Sequence, residues 1–105
     1  MRQANAPGAT SICDALLLPT PGELTFEINR RLLTGGLAVS DGEVRSAMAF
    51  AFRHLKLVLE PGGAVALAAL LAGKPALAGR AAAIVLSGGN VEPAQFADAI
   101  TGRSG

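Results

Sequence analysis

The sequence predicts an α/β fold, and three observations carry that expectation. Candidate elements follow one another as helix, strand, helix, helix, strand, loop and helix, the order of layered α/β proteins. Half of the 105 residues are hydrophobic, and that half is mostly Ala, Leu, Val and Ile, with four Phe and no Trp or Tyr. Such small aliphatic side chains pack helices closely against a sheet. Finally, Ala81 to Leu86 is an unbroken apolar run of strand length that opens directly into a glycine pair, as a buried parallel strand does before a ligand-facing turn. The length suits one domain.

Residues 1–20 lack periodicity and contain Pro7, Gly8 and Pro19, so they are expected to form a loop or linker. The α/β portion is placed at 21–105. Its first helix starts at Thr20-Pro21-Gly22-Glu23, with a capping hydroxyl, a proline at the first helical position and a glutamate three residues past the cap. Leu24, Ile28 and Leu32 share one face, and Gly35-Gly36 ends the helix. Leu37-Ala38-Val39 is a short strand candidate. Ser40-Asp41-Gly42-Glu43 is a second capping box, and Val44, Ala47, Met48, Ala51, Leu55 and Val58 then form an apolar stripe at helical spacing. Pro61 breaks that helix and starts another, apolar all round from Gly62 to Ala72, which Gly73 and Pro75 stop. Ala81 to Leu86 is the second strand candidate, and a last helix is predicted from Pro93 to Ile100 with Gly102 beyond its end. Two short strands make a poor sheet by themselves.

The formal charge is +1, from nine basic and eight acidic residues without a basic stripe, so nucleic-acid binding is not expected. The single Cys13 cannot form an internal disulfide, which suits a reducing, cytoplasmic setting. Ala64 to Ala72 is about half of the ~20 residues that span a bilayer, so no membrane segment is expected. The amino terminus lacks the apolar core of a secretory signal. His54 has no second histidine or cysteine pair with which to share a metal ion, and no metal site is expected.

Two segments carry candidate chemistry. Ser87-Gly88-Gly89-Asn90 follows the apolar run and precedes a helix, and ligands gather at the carboxyl ends of strands in open α/β sheets. The same tetrapeptide also reads as a plain glycine-rich turn with a solvated serine. Glu60 opens Glu60-Pro61-Gly62-Gly63-Ala64 between Leu57-Val58-Leu59 and an apolar helix. Its carboxylate is either a helix-start residue near the positive end of the dipole or a group aimed at a ligand.

Taken together, Leu59-Glu60-Pro61-Gly62-Gly63-Ala64-Val65-Ala66-Leu67-Ala68-Ala69 and Ile84-Val85-Leu86-Ser87-Gly88-Gly89-Asn90-Val91 resemble the end of the threonine dehydratase and serine racemase group. These are pyridoxal-phosphate enzymes of fold type II, the tryptophan synthase β-like fold. Gly22 to Phe26, Val39 to Asp41 and His54 to Val58 look like the intervening helices of the same family, so the resemblance spans roughly residues 10–100. It implies a partial fold type II domain, helix-rich with about two short strands. Ser87 would set its hydroxyl against the pyridine nitrogen of pyridoxal 5'-phosphate, Gly88, Gly89 and Asn90 would shape the turn beside the ring, and Glu60 would lie near the ring's edge. A neutral hydroxyl partner suits β-elimination of water from a hydroxy amino acid. Ser11-Ile12-Cys13-Asp14-Ala15-Leu16 resembles the family segment that leads into a loop close to the substrate, which offers Thr20 as a substrate-loop residue.

The family's Schiff-base lysine lies in a Ser-x-Lys-x-Arg-Gly motif, and that motif is not in these 105 residues. The lysines present, Lys56 and Lys74, read as solvated surface groups, so no catalytic residue is assigned. The resemblance therefore implies the carboxy-terminal part of a threonine/serine ammonia-lyase, not catalytic alone. Two other readings stay open: a non-enzymatic self-associating module derived from that fold, and a small-molecule-binding domain that keeps the Ser87 turn. The expected partners are a second copy or a complementing catalytic chain, because the apolar helix and run both call for cover on more than one side.

Overall fold

Ser40 starts the helix on which the rest of the chain is assembled. In the computed structural model, which describes residues 11–13, 22–32, 36–75 and 79–102, the elements are α1 (Glu23–Leu32), α2 (Asp41–Phe50), α3 (Val65–Leu71) and α4 (Pro93–Thr101). The predicted capping box forms at α2. The Glu43 N–H donates to Ser40 Oγ at 3.1 Å, and the Ser40 N–H donates to Glu43 Oε1 at 2.8 Å. Two of the amide groups at this helix start are thereby satisfied without water.

Periodicity then decides what α2 buries. Val44, Ala47 and Met48 face inward, and α3 and α4 pack on either side of that stripe. The core they share with Leu59, Ala64, Leu67, Ala68 and Ala99 is made largely of small side chains, with Met48 and Val44 the largest that are fully enclosed. Alanine lets helix axes approach closely, so the arrangement is thin: its principal extents are 39 × 39 × 18 Å.

The predicted stripe does not continue through Leu55 and Val58. Beyond Phe50 the helix widens into a π-helical turn, Ala51–Leu55, and ends at Lys56 in the left-handed conformation with φ 59°. The wider turn rotates later side chains off the 3.6-residue register. Leu55 and Val58 therefore reach the surface, and Leu59 takes the core position at 3 % exposure.

Pro61 and a 3₁₀ turn, Gly62–Ala64, lead into α3. Only Gly63, Ala64, Leu67 and Ala68 of this apolar stretch are buried, while Ala66 and Leu71 are exposed. A helix apolar all round needs cover on several sides, and α2 supplies it on one. Pro93 begins α4 at its first turn and Gly102 ends it at φ 78°, as the sequence predicts. The Arg53 guanidinium donates to the Ile100 carbonyl at 2.5 Å, and Phe52 meets Phe96 edge-on at 5.3 Å, tying the π turn to the end of α4.

One further expectation is corrected. No strand forms among the described residues: 36–40 and 80–92 run without helix or ladder. A strand exists only through hydrogen bonds to a neighbour, and the described chain offers these segments no sheet. The shared face of α1 carries Leu24 and Ile28, which are 76 % and 47 % exposed. The cap expected at Thr20-Pro21 lies outside the described residues.

Candidate functional site

The π turn and the 3₁₀ turn bracket the segment Leu57 to Pro61, and this segment receives the glycine-rich turn. The Glu60 N–H donates to the Gly88 carbonyl at 3.0 Å, and the Gly63 N–H donates to the Glu60 carbonyl at 3.0 Å. Two motifs separated by more than twenty residues in sequence are thus joined backbone to backbone.

Glycine is required for that approach. A Cβ placed on Gly63 would lie 2.7 Å from the Gly88 oxygen and 3.0 Å from its nitrogen. A Cβ on Gly88 would run into Glu60 Oε1, and one on Gly89 into the Val58 carbonyl oxygen. The turn closes on itself through the Val91 N–H, which donates to the Gly89 carbonyl at 2.9 Å. The half-buried Glu60 carboxylate therefore lies against Gly88, immediately beside Ser87.

Ser87, Gly88, Gly89 and Glu60 come together as one surface feature, with Asn90 exposed at its margin. Ser87 is exposed, and its hydroxyl makes no hydrogen bond to another described residue. That free hydroxyl at the end of an extended segment fits the role of partner to a ring nitrogen, which needs one donor and no charge. The glycine faces are filled by protein atoms and do not form a cradle for the ring.

Ser11 and Ile12 belong to the segment expected to lead toward the substrate. Ser11 Oγ donates to Asp41 Oδ1 at 2.7 Å, the Ile12 N–H donates to Asp41 Oδ2 at 3.4 Å, and Cys13 is buried in the core. Asp41 thus anchors this segment to the start of α2. Thr20 lies outside the described residues.

Neither lysine is held at the Glu60–Gly88 junction by these contacts. Lys56 Nζ donates to the Arg53 carbonyl at 2.9 Å, and Lys74 Nζ sits 3.3 Å from Glu43 Oε1. His54 meets Phe50 with ring centroids 4.6 Å apart and the ring planes tilted by 44°. No three His, Cys, Asp or Glu residues gather as a metal site among the described residues, and no helix there is long and apolar enough to cross a membrane. A cleft of about 570 Å³ between α2 and α3 is lined by Ser40, Glu43 and Ser46. Two of those polar groups are already committed to the capping box. Glu43 is the acidic group whose environment matters most: the Ser40 backbone N–H, aided by Lys74, holds its carboxyl below the ordinary value of 4.5.

Gly63 is not among the residues that the sequence places in the site. The signal that could have found it is a glycine at a helix start where alanine would be favoured, which points to close contact with another backbone.

Comparison with known proteins joins this geometry to a lineage. Phenylserine dehydratase of Ralstonia pickettii is 42 % identical over 88 residues, covering 83 % of this chain and 27 % of its own length. L-threonine ammonia-lyase of Thermotoga maritima is 35 % identical over 91 residues, 87 % of this chain and 22 % of that one. Among solved structures, the threonine deaminase of T.th. superposes with a TM-score of 0.76 at 32 % identity, covering 87 % of this chain and 30 % of its own. Serine racemase from Dictyostelium discoideum gives 0.68 at 34 %, covering 80 % and 28 %. The backbone is thus that of a fold type II enzyme, of which the chain spans between a fifth and a third. The profile of the family described as "Pyridoxal-phosphate dependent enzyme" matches residues 1–88, and the chain belongs to that family.

Proposed function

We propose that this chain is the carboxy-terminal part of a pyridoxal-phosphate-dependent threonine/serine ammonia-lyase, whose whole enzyme takes L-threonine to 2-oxobutanoate and ammonia. The observation that carries the reading is the junction of Glu60 and Gly63 with Ser87-Gly88-Gly89. Phenylserine, threonine and serine, named for the relatives, all carry a hydroxyl on the β-carbon, which supports a β-hydroxy amino acid as the substrate class. When bound, pyridoxal phosphate supplies the electron sink for loss of water from such a substrate. Within this chain, Ser87 would donate to the ring nitrogen and leave it uncharged. Gly88, Gly89 and Asn90 would hold the turn beside the ring, Glu60 would set a carboxylate at its edge, and Thr20 would belong to the substrate loop.

By itself the chain is not catalytic in this proposal, because neither Lys56 nor Lys74 stands in the lysine motif of the family. Its setting is cytoplasmic. Equimolar pyridoxal phosphate followed by borohydride and mass spectrometry tests this: no stoichiometric lysyl adduct is expected. A full adduct at Lys56 or Lys74, with 2-oxobutanoate released from threonine, would overturn the inactivity.

A second reading, a self-associating module without catalysis, is favoured by one observation: the large exposed apolar residues include Leu37, Val58 and Val85. Light scattering separates it from the first, since that module is a dimer or larger.

A further inference from the structure

We propose that Lys56 is a positioning residue: its left-handed backbone, held by carbonyls of the π turn, sets where Val58 and Glu60 meet the glycine-rich turn and so where the Glu60 carboxylate stands relative to Ser87. Its bearing on the cofactor rests on the ammonia-lyase reading; its bearing on the Glu60–Gly88 junction does not.

In sequence Lys56 reads as a solvated surface lysine, and its side chain is exposed. Its backbone is unusual. Among the described residues it is the only one other than glycine with a positive φ, at 59° with ψ 36°. Gly73 and Gly102, after α3 and α4, take the same region at 70° and 78°, where no Cβ opposes it. A lysine there brings its Cβ against the following carbonyl oxygen, and such a conformation persists only where the surroundings over-determine it.

Three hydrogen bonds supply that hold. The Lys56 N–H donates to the Ala51 carbonyl. The Leu57 N–H donates to the same carbonyl at 3.1 Å, and Lys56 Nζ turns back to donate to the Arg53 carbonyl at 2.9 Å. Ala51 is fully buried, so the acceptor of two of the three is fixed in the core.

The segment that meets the glycine turn leaves from this fixed point. Two residues on, the Val58 carbonyl oxygen occupies the space a Cβ on Gly89 would need. Four residues on, the Glu60 N–H donates to the Gly88 carbonyl at 3.0 Å. Four residues reach at most about 13 Å, so a change of about 10° in φ at Lys56 moves Glu60 by up to about 2 Å. A hydrogen bond is lost well before that. The junction therefore depends on a dihedral angle that most side chains disfavour.

Amide hydrogen exchange of the full 105-residue chain, resolved by NMR and without cofactor, tests this. Lys56→Val puts a branched Cβ at φ 59°. It should speed exchange of the Glu60 N–H at least about fivefold and move the Ser87 and Gly88 amide resonances, while Met48 in α2 and Ala68 in α3 keep the parent's protection. Lys56→Gly, at ease with that φ, should keep Glu60 exchange within about twofold of the parent and the resonances in place. Should Lys56→Val fail to fold, Lys56→Ala set against Lys56→Gly carries the same comparison, because alanine bears the Cβ penalty without the branch. Parent-like Glu60 exchange in the valine or alanine variant, or a junction disturbed as much by glycine, would overturn the proposal. So would an equal loss of protection in α2 and α3, which makes Lys56 a residue of the fold at large. No cofactor enters these measurements, so their failure leaves the lyase reading standing, and failure of that reading leaves the junction's dependence on Lys56 intact.

Discussion

Gly63→Ala and Gly42→Ala form a matched pair whose signs should differ, because the structure gives the two new methyl groups opposite surroundings. At Gly42, inside α2, the added Cβ meets only Ser40 Oγ at 3.8 Å, ordinary van der Waals contact. Loss of glycine's freedom in the unfolded chain should then stabilise by about 0.5–1 kcal/mol. At Gly63 the same entropic gain is opposed by a methyl 2.7 Å from the Gly88 oxygen and 3.0 Å from its nitrogen. Those are backbone atoms held by the Glu60–Gly88 hydrogen bond, so they cannot turn aside as a side-chain tip does. Overpacking of this kind costs about 1–3 kcal/mol, and stretching the hydrogen bond adds up to about 1 kcal/mol. Net destabilisation by about 1–3 kcal/mol is expected after the entropic gain is subtracted. Urea unfolding followed by circular dichroism measures both, as a shift in midpoint at unchanged slope. Amide resonances of Ser87 and Gly88 should move in Gly63→Ala and stay in Gly42→Ala. A Gly63→Ala protein as stable as its parent, with those resonances in place, would refute the proposed seating of the glycine turn on residues 60–63.

Ser40→Ala removes the acceptor for the Glu43 N–H at the start of α2 and should cost about 1 kcal/mol in the same urea assay. Glu43, held below its ordinary value chiefly by the Ser40 backbone N–H, stabilises the fold fully above that value; the contribution fades as pH falls through the lowered one. Glu43→Gln should flatten this acid limb while leaving the neutral-pH baseline lower, which a urea series between about pH 3 and 7 would show. Met48→Ala empties the largest fully enclosed side chain and should cost about 2–5 kcal/mol, enough in a core this small to leave much of the chain unfolded at about 25 °C.

What could be read from the sequence was local. The Ser40–Glu43 box, Pro93 at the start of α4 and Gly102 at its end are each decided by hydrogen bonds within one turn, and all stand in the structure. The stripe of α2 was legible as far as Ala51 and then failed, because a π turn leaves no periodic mark and shifts Leu55 and Val58 outward. The strands at 37–39 and 81–86 failed for another reason: their partners are not in the described chain, and composition records a preference for pairing without supplying the pair. At the site, Ser87 and Glu60 were each ambiguous singly. Only the resemblance joined them. Gly63, which lets Gly88 approach residues 60–63, reads in sequence as one more glycine because close approach of two backbones leaves no side-chain pattern.

The distribution of apolar residues leaves many large aliphatic side chains exposed. Half of its residues are hydrophobic, yet the fully enclosed ones are mostly alanines, while Leu24, Ile28, Leu37, Leu57, Val58, Leu71, Ile84 and Val85 remain in water. Burial stabilises by about 25 cal/mol for each Å² of apolar surface removed from solvent, so the larger side chains hold most of the energy still to be gained. Scattered exposed leucines would carry no message. Here Val58 and Val85 are both exposed, and no charge falls between Ala81 and Val91. Edges that must stay unpaired are protected by lysine, proline or a bulge. The segment 81–87 carries no charge and no proline, and its far end is pinned by the Glu60–Gly88 hydrogen bond.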